Sequence, residues 1–161
     1  MISQKEIKQL AGLLKKIDNP HEGLPQPVFD ALVNVVPFVA CEVIIINDKK
    51  GVLMTWRDDK WWRGWHFPGG LLRFRECFEE RIEQVAWQEL GINISTFEFL
   101  FIKNHEQCAR GHAVSLVFLC QTEMKPKTGR FFKKMPKNIV DGTEEMWEYL
   151  KQTKKFKNLL K

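Results

Sequence analysis

At 161 residues the chain is the length of one domain, long enough for a substantial core, and 44% hydrophobic with 28% charged residues is a soluble, globular balance. The net charge of +5 favours anionic partners, such as nucleotides, sugar nucleotides and nucleic acid, without choosing among them. No apolar run reaches the ~18 residues of a spanning helix, and M-I-S-Q-K-E-I-K has no signal-peptide core, so a cytoplasmic protein off the membrane is expected, with Cys41, Cys77, Cys108 and Cys120 as reduced thiols lacking metal-ligand spacing.

Ser3-Gln4-Lys5-Glu6 is a capping-box pattern, and Ile7, Leu10, Ala11 and Leu14 keep a helical period to about Lys16. Asn19 to Gly23 breaks it, and a short helix follows from Pro27 to about Asn34. Phe38 to Ile46 is apolar and β-branched, a buried strand. A turn at Asn47–Gly51 and a returning strand, Val52 to Arg57, predict a hairpin.

The next loop holds Trp61, Trp62, Arg63 and Trp65 close to Arg57. Tryptophans mixed with arginines suit a surface where a base or sugar stacks while guanidiniums hold phosphate. The plainer alternative is that Trp61 or Trp62 packs the loop onto the core, and that Arg57 pairs with Asp58 or Asp59. Trp65-His66-Phe67 is extended, and at Pro68-Gly69-Gly70 the two glycines predict a sharp turn.

From about Cys77 to Leu90 a helix is expected, capped by Gly91, with Phe78, Ile82, Val85, Ala86 and Leu90 as its apolar stripe. Glu89 falls within that stripe. A carboxylate there is costly unless backbone amides, a basic side chain or a functional partner engages it.

Phe97–Lys103 and Ala113–Gln121 read as strands, joined by a loop that carries His105, Glu106 and His112. His112 begins a strand whose same-face residues are Val114, Leu116 and Phe118, the setting of a structural histidine as much as of a base. The lysines and phenylalanines of 125–137 read as a solvated loop, so nucleic acid is not the expected partner. The last helix starts near Thr143, with Met146, Tyr149 and Leu150 on one side and lysines at its end.

The section from Pro68 to Ile92 resembles the Nudix box, G-x5-E-x7-R-E-U-x-E-E-x-G-U, where U is bulky and aliphatic. Gly70, Glu76, Glu89, Gly91 and Ile92 match. Gln84 stands in place of the family's Arg, and Val85 and Gln88 in place of two glutamates that normally bind metal. These losses are similar to those of the GDP-mannose mannosyl hydrolases, and the likeness extends over about Phe38 to Glu123.

The resemblance implies an α/β fold, a Nudix-type α/β/α sandwich with a mixed β-sheet. Residues 37–161 would form its core and 1–36 an extra N-terminal helical extension of the same single domain. It implies that the Gly70 carbonyl and the Glu89 carboxylate hold one Mg²⁺, that Arg57 contacts a diphosphate, and that His112 activates water for attack on an anomeric carbon. Trp61, Trp62 and Arg63 would complete the substrate surface. Nucleoside diphosphate and free sugar would be the products, and a homodimer is in keeping with that branch. Leu71 replaces an Arg of the mannosyl hydrolases, which puts GDP-mannose itself in question. Two other readings stand: a pyrophosphohydrolase recruiting Glu79, Glu80 or Glu83, and a nucleotide-binding module without turnover.

Overall fold

The computed structural model describes residues 2–157 and Leu159. A mixed sheet runs in the order β5-β1-β7-β6. In it β1 (Phe38–Ile44) lies parallel to β7 (Gly111–Gln121) and antiparallel to β5 (Gly69–Leu71), and β6 (Thr96–Cys108) forms the far edge.

Alternation along β1 sends Cys41 and Val43 to one face and Ala40, Glu42 and Ile44 to the other. The first face packs on α3 (Phe78–Val85) and the turn after it, through Ile82, Val85, Ala86 and Leu90. The second packs on α4 (Thr143–Gln152), with Phe67, Met146, Trp147 and Leu150. The result is an α/β/α sandwich.

The expected hairpin forms only in part. The chain leaves the mixed sheet after Ile44, and only β2 (Ile46–Asn47) pairs with β3 (Gly51–Asp58), in a second sheet completed by β4 (Arg63–His66) and β8 (Arg130–Phe132). One continuous apolar run thus serves two sheets, which periodicity cannot reveal. The loop expected at 104–112 is mostly strand: β6 and β7 stay paired to Cys108↔Gly111, with a bulge between His105 and Cys108.

At the N-terminus α1 (Gln4–Leu14) starts at the expected capping box: the Ser3 N–H donates to Glu6 Oε2 at 2.7 Å and the Glu6 N–H to Ser3 Oγ at 3.3 Å. Nothing in α1 is buried among the described residues. Phe29 of α2 (Gln26–Leu32) meets Phe38 at 5.1 Å between ring centroids.

The box helix keeps α geometry to Val85, then widens into a π turn at Ala86–Leu90, closed by Gly91 at φ 65°. Phe78 departs from the expected core stripe. It lies at the first turn and is 43% exposed, its ring tilted 44° against that of Phe118 at 5.8 Å between centroids. On α4 the buried set is Thr143, Met146, Trp147 and Leu150, one face at i, i+3, i+4 and i+7, which leaves Tyr149 outside.

Candidate active site

The Gly-Gly step is extended backbone in β5, with neither glycine at positive φ. What demands glycine is close approach. A Cβ on Gly69 would collide with the Glu42 carboxylate, and one on Gly70 would stand 2.9 Å from Val85 Cγ2. Val85, in place of a family glutamate, therefore packs its methyl directly under Gly70.

Glu89, carried by the π turn, reaches this step from the helix side. Its Oε1 accepts from the Gly69 N–H at 3.2 Å and its Oε2 from Thr55 Oγ1 at 2.9 Å. His66 Nε2 lies 3.1 Å from Thr55 Oγ1 and 3.6 Å from Glu89 Oε2. Burial, reinforced by the charge of Arg57, lowers the His66 pKa to about 4, so the ring is neutral at pH 7. Burial also pushes the Glu89 carboxyl above its ordinary range. Glu89 is thus a largely buried carboxylate whose one basic neighbour within ion-pair reach, among the described residues, is an uncharged imidazole.

On the opposite side of Gly69 opens a cleft of about 140 Å³, with Glu42, Ser115 and Ala113 at its floor and Arg57, Trp62 and Arg110 around it. Ser115 Oγ donates to Glu42 Oε1 at 2.9 Å. Burial raises the Glu42 pKa to about 7; the nearby Glu89 charge adds to this, while the Ser115 bond and the fields of Arg57 and Arg110 oppose it.

The guanidiniums of Arg57 and Arg110 lie 5.3 Å and 5.0 Å from the Trp62 ring centroid. Asp59 fixes this corner: its Oδ1 accepts from the Trp61 and Trp62 N–H groups at 2.8 Å and 2.9 Å, and its Oδ2 stands 3.1 Å from Arg57 Nε. Trp62 Nε1 is buried without a hydrogen-bond partner.

The structure therefore brings Arg57, Trp62 and Gly70 to one cleft, with Glu89 behind its Gly69 wall. Three expected residues are not brought there. Arg63 extends to Asp58 at 3.4 Å with its side chain 77% exposed. Trp61 sits outside, under Lys60 Nζ at 4.8 Å. His112 faces away, because in β7 it is Ala113 and Ser115 that point to the cleft; its Nε2 lies 2.7 Å from Asn104 Oδ1, in a separate groove beside Val33–Pro37. His105 lines the cleft instead.

Glu76, a match to the box, is bound by a guanidinium from an unexpected position. Arg81 makes a bidentate pair with it, Nε–Oε2 at 2.8 Å and Nη2–Oε1 at 2.6 Å, both side chains nearly buried. Glu79, Glu80 and Glu83 are exposed on α3, and none of them lines this cleft. Two cleft residues, Glu42 and Arg110, escape the sequence reading. A lone acid in the apolar run F-V-A-C-E-V-I could have flagged the first; nothing comparable marks the second.

Among the described residues no three His, Cys, Asp or Glu side chains converge as a metal cage. The donor that remains is the Glu89 carboxylate, and a largely buried carboxylate with no charged partner among the described residues suits a single hard cation completed by substrate phosphates.

The NUDIX domain family model matches residues 37–157. The low-salt glycan biosynthesis protein Agl8 of Haloferax volcanii is 29% identical over 99 residues, which span 57% of this chain and 63% of that protein, less than two thirds of its length. Among solved structures, the MutT NUDIX hydrolase of Burkholderia pseudomallei superimposes with a TM-score of 0.61 at 22% identity, covering 71% of this chain and 98% of that one. The NUDIX domain of Shewanella oneidensis NrtR, solved with ADP ribose, covers 92% of this chain and 96% of its own at a TM-score of 0.55 and 14% identity. At these identities both structures speak for the fold.

Proposed function

Since the chain belongs to the Nudix family, we propose that it hydrolyses a nucleoside-diphosphate sugar, parting sugar from diphosphate at the glycosyl C–O bond. The observation that carries this reading is the pair of guanidiniums, Arg57 and Arg110, set over Trp62 beside a cleft with a neutral-range carboxyl at its floor. Two fixed cations suit a diphosphate that gains charge as it leaves. A relative named for glycan biosynthesis supports a sugar nucleotide over other diphosphates.

Arg57 and Arg110 bind the diphosphate and hold its charge. Glu42, titrating near pH 7, takes the proton from a water whose oxygen bonds to the anomeric carbon. The C–O bond breaks, and its electron pair stays on the diphosphate oxygen facing the arginines. Gly69 lets the Glu42 carboxylate sit against the β5 backbone, and Ser115 holds one of its oxygens. Glu89, which opens on a separate groove with Thr55, Trp56 and Trp65 behind the Gly69 step, would hold Mg²⁺, which would supply further positive charge on that side of the step. With Val85 under Gly70, the side chains there offer one carboxylate where the box offers three.

Turnover of a panel of nucleoside-diphosphate sugars in ¹⁸O-labelled water with Mg²⁺ tests the reading. Label in the released sugar, lost in Glu42→Gln, is the expected result. Label in a phosphate product would instead make this a pyrophosphohydrolase. Tight binding without turnover would favour the binding module, the reading that Val85 and Gln88 themselves suggest.

A further inference from the structure

The cleft divides its lining unevenly. Its floor gathers hydrogen-bonding groups on small residues and strand positions: Glu42 with Ser115, then His105 and the end of α4 at Thr143, around the small side chains of Ala40 and Ala113. Its aromatic faces are already taken. The Trp62 ring is engaged by two guanidiniums, and Phe67 is 1% exposed with its ring 6.4 Å from that of Trp147. A nucleobase needs an open flat face, whereas a sugar ring needs hydroxyl and carboxyl partners.

Size points the same way. At about 140 Å³ the space is well below the ~300–1,000 Å³ of pockets that engulf a drug-sized ligand, so it takes one ring and not a whole sugar nucleotide. Exposed aromatic rings lie elsewhere: near the arginines, Trp56 is 43% and Trp61, with Lys60 over its ring, 36% exposed, and neither lines the cleft.

Resting on the hydrolase reading above, we propose that the floor of this cleft is a sugar subsite, and that the enzyme selects its ligand by the sugar and only weakly by the base. The diphosphate spans Arg57 and Arg110, and the nucleoside lies beyond them on the open surface around Trp61. Nucleotides differing only in their base are then close to equivalent, while epimers of the sugar are not.

The test is a binding grid on the full chain by titration calorimetry: adenosine, guanosine and uridine diphosphates, each bare and each joined to glucose, galactose or mannose. The expected spread is within about threefold across bases for a given sugar and tenfold or more across sugars for a given base, since each hydrogen bond left unpaired in a closed subsite is worth ~1–3 kcal/mol. Ala113→Leu, which fills the floor, should weaken the preferred sugar nucleotide at least tenfold and leave the bare diphosphates within about threefold. A base spread larger than the sugar spread, or an Ala113→Leu protein that loses bare diphosphates equally, overturns the sugar subsite while the hydrolase reading survives. If neither bare diphosphates nor sugar nucleotides bind, both readings fall together.

Discussion

Glu42→Gln should stabilise this protein, and by an amount that grows with pH. In the native state burial lifts the Glu42 pKa from its ordinary 4.5 to about 7. Between those values the folded chain keeps a proton that the unfolded chain has released, so stability falls as pH rises through this window. At ~1.4 kcal/mol per pH unit the ionised carboxylate costs the native state about 3 kcal/mol once pH exceeds 7. His66 pulls the other way. Its pKa drops from 6.5 to about 4, so the unfolded chain binds the extra proton and stability is lost as pH falls from 6.5 towards 4. The two trends overlap and largely offset each other in the native protein.

Glutamine keeps the acceptor for Ser115 Oγ and removes the ionisation, which leaves the His66 trend alone. Urea unfolding of both proteins from pH 5 to pH 8 isolates the effect as a difference. The variant's advantage should be small at pH 5 and should widen to about 3 kcal/mol by pH 8. A constant difference over that range would mean that Glu42 titrates normally, and the argument for it as a base near neutrality would go with it.

Arg57→Ala and Arg110→Ala should each weaken a bare nucleoside diphosphate ~10- to 100-fold by calorimetry, the worth of one charge-assisted contact; unchanged affinity would remove the arginine pair from the site. Glu76→Ala strands the nearly buried Arg81 guanidinium and should cost ~3–5 kcal/mol in urea unfolding, much of it recovered in Glu76→Ala/Arg81→Met; a loss below 1 kcal/mol would mean that water reaches the pair. Val85→Glu puts a carboxylate into a site 3% exposed and should lower Tm at pH 7, with millimolar Mg²⁺ restoring part of the loss. Absence of any Mg²⁺ effect on that variant would show that the step beneath Gly70 no longer addresses a cation.

The fold was legible wherever one residue's neighbours along the chain decide its state. The capping box at Ser3, the αL end of the box helix at Gly91 and the apolar face of that helix from Ile82 to Leu90 are local patterns, and each stands where its period puts it. Illegible features depended on a partner distant in sequence. The run from Phe38 leaves one sheet for another because β5 and β7 flank it on both edges as far as Ile44 and β3 takes its end. The two glycines look like a turn from composition, yet the structure needs them for clearance from Glu42 and Val85.

The same distinction governs the site. Glu89 was conspicuous because a helix period defines the face on which an acid is anomalous. Glu42 was less so: it is a lone acid among six apolar residues, but such a run reads as a strand whichever face each residue takes, and only the pairing of β1 with β5 shows that its carboxylate meets Gly69. His112 and Ser115 belong to one strand, and an odd separation of three sends them to opposite faces, so the histidine that chemistry would choose is turned from the cleft and the serine that it would overlook is turned in. With Val85 and Gln88 in place of two box carboxylates, and a buried Glu42 in the field of Arg57 and Arg110, the proposed chemistry rests on the sheet and not on the helix. Titration of Glu42, more than metal affinity at the helix, is therefore where its activity should show pH control.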